Sequence, residues 1–268
     1  MKVNKNPKRV FGTYEWAYKN VNFISGCKHD CKYCYSKEMA IRFGRKTSAN
    51  WKKESLKDEM LSKKFGKSKG VMMIPSSHDI HPDHLKEALI ILNNILSAGN
   101  QILIVSKPHT ECIKAICDEF FVYRKDILFR FSIGSIESKV LKFWEPGAPN
   151  FAERLESLKY AYNSGFKTSV SVEPMLDSTI DEIIRKVRPL ITDSIWLGKA
   201  NYLFRRITTN GDNDALTLKK ADELIKLQSD FNIKKLYERY KNDPLIKWKE
   251  SIKKIVGIEL SEEKGLDA

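Results

Sequence analysis

The densest chemistry in this chain is three cysteines within eight residues: Cys27, Cys31 and Cys34, in the run Gly26-Cys27-Lys28-His29-Asp30-Cys31-Lys32-Tyr33-Cys34-Tyr35. The spacing is C-x3-C-x2-C, with an aromatic just before the last cysteine. Three thiolates this close can hold three corners of an iron–sulfur cube and leave the fourth iron without a protein ligand. An iron with an open position is a place for chemistry as well as a structural staple. The alternative is a structural zinc site, but zinc prefers four protein ligands in a closed tetrahedron. His29 is the local candidate for a fourth ligand, and it lies between two of the cysteines in a very short loop. Cys112 and Cys117 are the remaining cysteines, and nothing local pairs them with the loop.

The elements that must position this loop are read from hydrophobic patterning. Apolar, β-rich segments alternate with helical ones, which predicts β/α units around a parallel sheet. Strands are expected at 20–25, 71–75, 101–106, 127–133, 167–173 and 194–197. Helices are expected at 48–65, 83–97, 110–121, 151–163 and 180–187, with 134–150 read as a loop. Six such units form a partial (β/α)6 TIM-like barrel, open on one side. The chain then divides into a basic N-terminal extension (1–19), the barrel (20–204) and a helical C-terminal extension (205–268). In barrels of this kind the reacting groups sit at the C-terminal ends of the strands. Cys27, Ser77, His78, Asp79, Lys107, Ser132, Glu173, Lys199 and Asn201 all fall there.

Composition narrows the function classes. The 268 residues suit one large globular domain or one domain with an extension. No apolar run reaches the length of a membrane span, and the basic start has no apolar stretch behind it as a secretory signal would. An odd number of cysteines, three of them in one loop, indicates metal chemistry in a reducing compartment, so the expected location is the cytoplasm. The formal net charge is +13, and residues 1–70 hold 18 Lys/Arg against 6 Asp/Glu, so +12 lies in that segment. A basic field near a reactive centre attracts a polyanion such as DNA or RNA. An ordinary solvated basic surface, or recruitment of an acidic electron donor, are the alternative readings.

The cysteine pattern resembles the cluster loop of the radical S-adenosylmethionine (radical SAM) superfamily. The middle of the chain sharpens the resemblance. Glu145-Pro146-Gly147-Ala148-Pro149 and Glu153-Arg154-Leu155 are similar to the "EP-x-AP…ERL" stretch of spore photoproduct lyase and its wider family. Ser132-Ile133, Val172-Glu173-Pro174-Met175 and Ser106-Lys107 fit the same order. The resemblance implies a [4Fe-4S] cluster on the three cysteines and SAM on its open iron. Reductive cleavage of SAM to a 5′-deoxyadenosyl radical then abstracts hydrogen from a substrate, with the electron coming from a donor such as flavodoxin or ferredoxin. One departure stands out. Photoproduct lyase has a hydrogen-donating cysteine at the end of its second strand, and Pro75-Ser76-Ser77-His78-Asp79 has none.

The resemblance also implies handles for SAM. Ser76, Ser77 and Asp79 occupy the place of the motif that receives its ammonium group, or they form an Asx-type turn capping the next helix. Lys107 can pair with the SAM carboxylate, or it is a surface lysine. Ser132 is a further polar contact. Tyr33 and Tyr35 border the adenine and the cluster, or simply pack. His78, His81 and His84 are spaced by three, but Pro82 interrupts them, so loop polarity or substrate contact is preferred to a second metal. Cys112 and Cys117 read as buried packing residues, and Glu145 with Arg154 as an internal salt bridge. The leading functional reading is a radical SAM enzyme acting on a nucleic acid or nucleotide. The others are the same chemistry on a peptide or small metabolite, and a non-catalytic iron–sulfur or zinc protein that binds nucleic acid.

Overall fold

The computed structural model describes residues 10–266. Its main sheet has seven strands in the order β1 (Lys19–Asn20), β4 (Met72–Ile74), β5 (Ile102–Ser106), β6 (Ile127–Ser132), β7 (Lys167–Val172), β8 (Ile195–Leu197) and β9 (Ile246–Trp248). Every neighbouring pair is parallel. Two further short strands, β2 (Ile24–Ser25) and β3 (Ser55–Leu56), pair antiparallel beside the cysteine loop. The architecture is the expected α/β partial barrel.

The strands alternate faces with the period of two that a pleat imposes. Ile102 and Ile104 on β5 and Phe129 and Phe131 on β6 join the main core under the helices. Met73, Leu103 and Trp196 face the other way and pack with Trp16 and Ala17 inside the barrel. The crossover helices bury apolar stripes on the outer face. On α2 (Leu85–Leu96) these are Ala88, Ile91, Leu92, Ile95 and Leu96, spaced as one helical face. Cys112 and Cys117 belong to the corresponding stripe of α3 (Thr110–Glu119), which bears out their packing role.

Three local expectations are corrected. The expected first strand is split: Asn20 ends β1, whereas Ile24 begins β2. The segment 48–65 is not a helix, because the cysteine loop captures it. Cys27 N donates to Trp51 O at 3.1 Å, and β3 pairs with β2. The nearby helix is instead α1 (Tyr35–Arg42), whose N-cap is Cys34. The stretch 134–150 contains a short helix, α4 (Ser138–Trp144), before α5 (Phe151–Asn163).

The chain ends differ from simple appendages. Residues 1–9, including Lys2, Lys5, Lys8 and Arg9, lie outside the described residues. Glu15, Trp16 and Ala17 are buried against the barrel. Beyond α6 (Ile180–Val187) come α7 (Leu203–Asn210), α8 (Ala215–Leu227) and α9 (Asp230–Tyr240). The chain then adds β9 to the sheet and closes with α10 (Glu250–Val256). The C-terminal region is therefore not purely helical. Among the described residues no helix is long and apolar enough to cross a membrane.

Candidate active site

A cavity of about 540 Å³ opens at the C-terminal ends of the strands, within the range of small-molecule sites. Cys27, Cys31, Cys34, Tyr33, Ser76, Ser77, Asp79, Lys107 and Ser132 all line it, as do Tyr35, Glu173, Lys199 and Asn201. The structure thus brings every residue proposed from sequence for the cluster or for SAM to one place. Strand pleating explains part of this. Val105 and Lys107 lie two apart on the inward face of β5 and its extension, and Ser132 ends β6.

The three thiols share one wall of the cavity, Cys27 and Cys31 buried and Cys34 half-buried. Burial pushes the Cys27 thiol well up, and Cys31, Asp79 and Cys34 push it further. Burial also raises Cys31 and Cys34, against the pull of Lys107 and, for Cys34, of the α1 amides. Cys34 Sγ accepts the Lys37 amide at 3.3 Å, so the helix start faces that sulfur. Three thiolates side by side need a cationic centre to be stable. Among the described residues no three His, Cys, Asp or Glu side chains gather as ligands of a single metal ion. An iron–sulfur cube takes its thiolates at separate corners, and this donor set fits it. Both ring nitrogens of His29 are engaged elsewhere, with Asp79 Oδ2 at 3.3 Å and His109 Nε2 at 3.1 Å, so His29 is not a fourth ligand.

Asp79 is a brace joining two strand ends to the cysteine loop. Its Oδ1 accepts from Ile80 N at 2.8 Å and from the Ser106 hydroxyl. Its Oδ2 accepts from Lys107 N at 2.7 Å and faces His29 Nδ1. Burial alone would raise this carboxyl, but His29, Lys107 and the Ser106 hydrogen bond hold it down to about 2. With the roughly four acceptor positions of a carboxylate already met, Asp79 organises the site and has little capacity left for a ligand's ammonium group.

The neighbouring serines keep more freedom. Asn22, at the break between β1 and β2, accepts from Ser76 N at 2.7 Å and Ser77 N at 2.9 Å and donates to Ser76 Oγ at 2.9 Å. The Tyr35 hydroxyl donates to Ser76 O. This leaves the Ser77 hydroxyl without a hydrogen bond among the described residues. Lys107 Nζ lies 3.9 Å from Glu145 Oε1 and 5.8 Å from the centre of the Tyr33 ring. Burial opposes its charge, but Cys31, Glu145 and Asp79 raise its pKa, so it remains an ammonium.

The Glu145-to-Pro149 motif clamps the cysteine loop. Arg154 Nη2 donates to Glu145 Oε2 at 2.5 Å, with both side chains buried, as the salt-bridge reading expected. Arg154 also donates to Pro149 O at 2.8 Å and Ser132 O at 3.0 Å. The other Glu145 oxygen accepts from the Tyr33 hydroxyl. Gly147 N donates to His29 O at 3.0 Å, and a Cβ there would sit 2.2 Å from Lys28 O. Only glycine allows so close an approach. From the opposite side, Asn210 at the end of α7 donates to Lys32 O at 2.9 Å and Cys34 O at 3.0 Å. Asn22 and Asn210 escaped notice in the sequence because an isolated asparagine carries no spacing signal.

His78, His81 and His84 diverge. His81 and His84 face Asp83 and Glu54, at 3.4 Å and 3.6 Å. His78 Nε2 accepts from Phe23 N at 3.1 Å and Ile24 N at 3.3 Å, while its Nδ1 lies 3.0 Å from Asp79 O. These partners require the neutral Nδ1–H tautomer, and burial lowers its pKa from 6.5 to about 4. The unfolded chain therefore binds a proton in this window that the folded chain does not. The stability His78 contributes is present above about pH 6.5, falls as the pH drops, and is lost below about 4. The shift corresponds to at most about 3 kcal/mol. Denaturant midpoints measured between pH 7 and 4 should fall for the wild type and less for His78→Gln. A wild-type midpoint that is flat over that window would contradict the assignment.

Comparison with known proteins agrees with this fold. An uncharacterised protein of Acidianus two-tailed virus is 32% identical over 173 residues, covering 60% of this chain and 56% of that protein. An uncharacterised protein of Methanocaldococcus jannaschii is 24% identical over 188 residues, covering 69% and 70%. The fold matches solved structures of spore photoproduct lyase variants. One with dinucleoside spore photoproduct has a TM-score of 0.54 at 16% identity, covering 85% of this chain and 75% of that one. Another, with AdoMet and dinucleoside spore photoproduct bound, has a TM-score of 0.56 at 16% identity, covering 92% and 80%. The profile of the radical SAM superfamily matches residues 21–191, well over half of the chain, so this protein belongs to that superfamily and is a radical SAM enzyme, a class whose cofactors are a [4Fe-4S] cluster and S-adenosylmethionine.

Proposed function

We propose that Cys27, Cys31 and Cys34 hold the cluster, that SAM lies across the strand ends beside it, and that the substrate is a nucleic acid or nucleotide. The observation that carries this reading is a cavity lined together by the buried thiols of Cys27 and Cys31, the half-buried Cys34, the Lys107 ammonium and the Ser76–Ser77 loop. When bound, the two cofactors supply a 5′-deoxyadenosyl radical that abstracts hydrogen. The chain's own residues bind and orient. Lys107 offers a cation to the SAM carboxylate, and Ser77 and Ser132 offer hydroxyl groups to its polar atoms. Tyr33, tied down by Glu145, offers a fixed ring beside Cys31. Asp79 sets the loop that presents the serines. A small acidic donor such as flavodoxin or ferredoxin is the proposed reductant.

The substrate reading is supported by the charge of residues 1–70 and by the exposed cations Arg45, Lys52 and Lys53 just after α1. It is further supported by the dinucleoside photoproduct in the similar structures. The reaction differs from that enzyme's in its last step if that step needs a thiol, since Cys112 and Cys117 lie in the α3 core and not along the cavity.

The test is binding of the anaerobically reconstituted enzyme to DNA and RNA across a salt series. Charge reversal at Arg45, Lys52 and Lys53 should weaken binding and flatten the log–log slope by roughly one unit for each phosphate no longer neutralised. Lys107→Ala should instead weaken SAM binding and leave iron content and nucleic-acid affinity intact. A wild type with no affinity for either polymer at about 50 mM salt, where such interactions are strongest, would transfer the reading to a peptide or small metabolite.

A further inference from the structure

At the rim of the cavity, one buried carboxylate gathers three arginines. Glu38 on α1 is 2% exposed. Its Oε1 lies 2.8 Å from Arg205 Nε and 3.4 Å from Arg42 Nη1, and its Oε2 lies 3.9 Å from Arg206 Nε. Three guanidinium groups against one carboxylate leave two net positive charges. Each guanidinium has five N–H donors, so most of them remain unspent. The side chains of Arg42 and Arg205 are both 51% exposed. Arg206 lines the cavity itself, and its Nε is buried without a hydrogen-bond partner. This is more cationic capacity than packing α1 against α7 needs.

An aromatic platform stands next to it. Tyr202 immediately follows Asn201, which lines the cavity, and is 66% exposed. Its backbone is left-handed, with φ 53° and ψ 36°. A bulky L-residue rarely adopts this conformation, and such strain concentrates at ligand clamps. The Arg205 guanidinium covers one face of the ring, 4.4 Å from its centre. The other face is open to solvent. An exposed ring backed by arginine and flanked by spare guanidinium donors has the chemistry of a base-stacking site with its phosphate contact.

We propose that Tyr202 and the Glu38-ordered arginines form a clamp for the nucleotide that flanks the one entering the cavity. The base stacks on the open face of Tyr202, and the adjoining phosphate takes the free N–H groups of Arg205 and Arg42. Glu38 is a positioning residue that holds the guanidiniums in place before the strand arrives. The proposal rests on the nucleic-acid reading given above. It adds that the enzyme grips an unstacked, single-stranded or extruded nucleotide, because a base inside a duplex presents no free face to a ring.

The test is the affinity of the reconstituted enzyme for a fluorescein-labelled single strand of about ten nucleotides, comparable to single-strand site sizes. Tyr202→Ala should weaken binding roughly 5- to 150-fold, the loss expected for one stacked base. Tyr202→Phe should bind like the wild type, since it keeps the ring. Tyr202→Gly relieves the left-handed backbone, so it should fold at least as well and still lose the same affinity. Arg205→Ala should reduce the log–log salt slope by about 0.7, the value for one phosphate on a single strand. Iron content and SAM affinity should not change in any of these variants. Wild-type affinity and slope in both Tyr202→Ala and Arg205→Ala would overturn the clamp and leave the nucleic-acid reading standing. A Phe variant as weak as the Ala variant would overturn stacking. A wild type that binds no nucleic acid would remove both proposals together.

Discussion

Cys31→Ala should lose most of its iron, whereas anaerobic wild-type protein should carry about four irons and four sulfides per chain. Cys31 is the central member of the loop and is buried, packed with Tyr33, Leu141 and Trp144. Among the described residues no spare ligand stands ready to replace it. His29 is committed to Asp79 and His109, and Glu145 to Arg154 and Tyr33. Two thiolates then remain for a cube that has an open iron even with three. Iron and sulfide analysis with the visible absorption spectrum reads the result directly. Full iron in the variant, or one zinc per wild-type chain, would refute the assignment of the three cysteines.

The second large effect lies in the clamp behind the loop. Arg154→Met removes a guanidinium that is 0% exposed and leaves Glu145, 1% exposed, with a buried charge whose remaining partners among the described residues are the Tyr33 hydroxyl and the Lys107 ammonium, 3.9 Å away. Burial pushes the Glu145 carboxyl up, and Arg154 is the foremost of the groups that hold it below its usual range. Breaking one side of such a pair costs about 3–5 kcal/mol. Urea unfolding should show that loss, and iron retention should fall with it, since the same motif holds the Lys28–His29 backbone. Lys114→Ala makes a useful contrast. Its pair with Glu156, 3.1 Å apart, is 45% and 59% exposed, so its loss should cost under about 1 kcal/mol. Equal costs for the two variants would show that the buried pair is not what secures the loop.

Several parts of this molecule were legible from local pattern alone. A cysteine spacing is a short-range property, and so is the alternation of strand and helix periods, because each depends on residues within a turn or a pleat of one another. The helix at Ile180–Val187 and the strand ends bearing Lys107 and Ser132 fall where patterning placed them. The expected helix at 48–65 shows the limit of that logic. Its local pattern yielded to distant partners, β2 and the cysteine loop, which use its backbone as hydrogen-bond acceptors and donors.

Local pattern reaches the cluster loop, the order of β/α units and the set of polar groups at the strand ends. What those groups do follows from the partners that folding brings to them. It turned Asp79 from a candidate ligand contact into a brace, by delivering Ser106 and Lys107 from 27 and 28 residues away. It also set Asn210 beneath Cys34, 176 residues apart, joined Arg205 to Glu38 across 167, and added β9 to the barrel. The physical reason is that a side chain's type fixes how many hydrogen bonds it can make, but folding alone fixes with whom. A buried carboxylate already satisfied by the protein and one left free for a ligand are the same residue until their neighbours are in place.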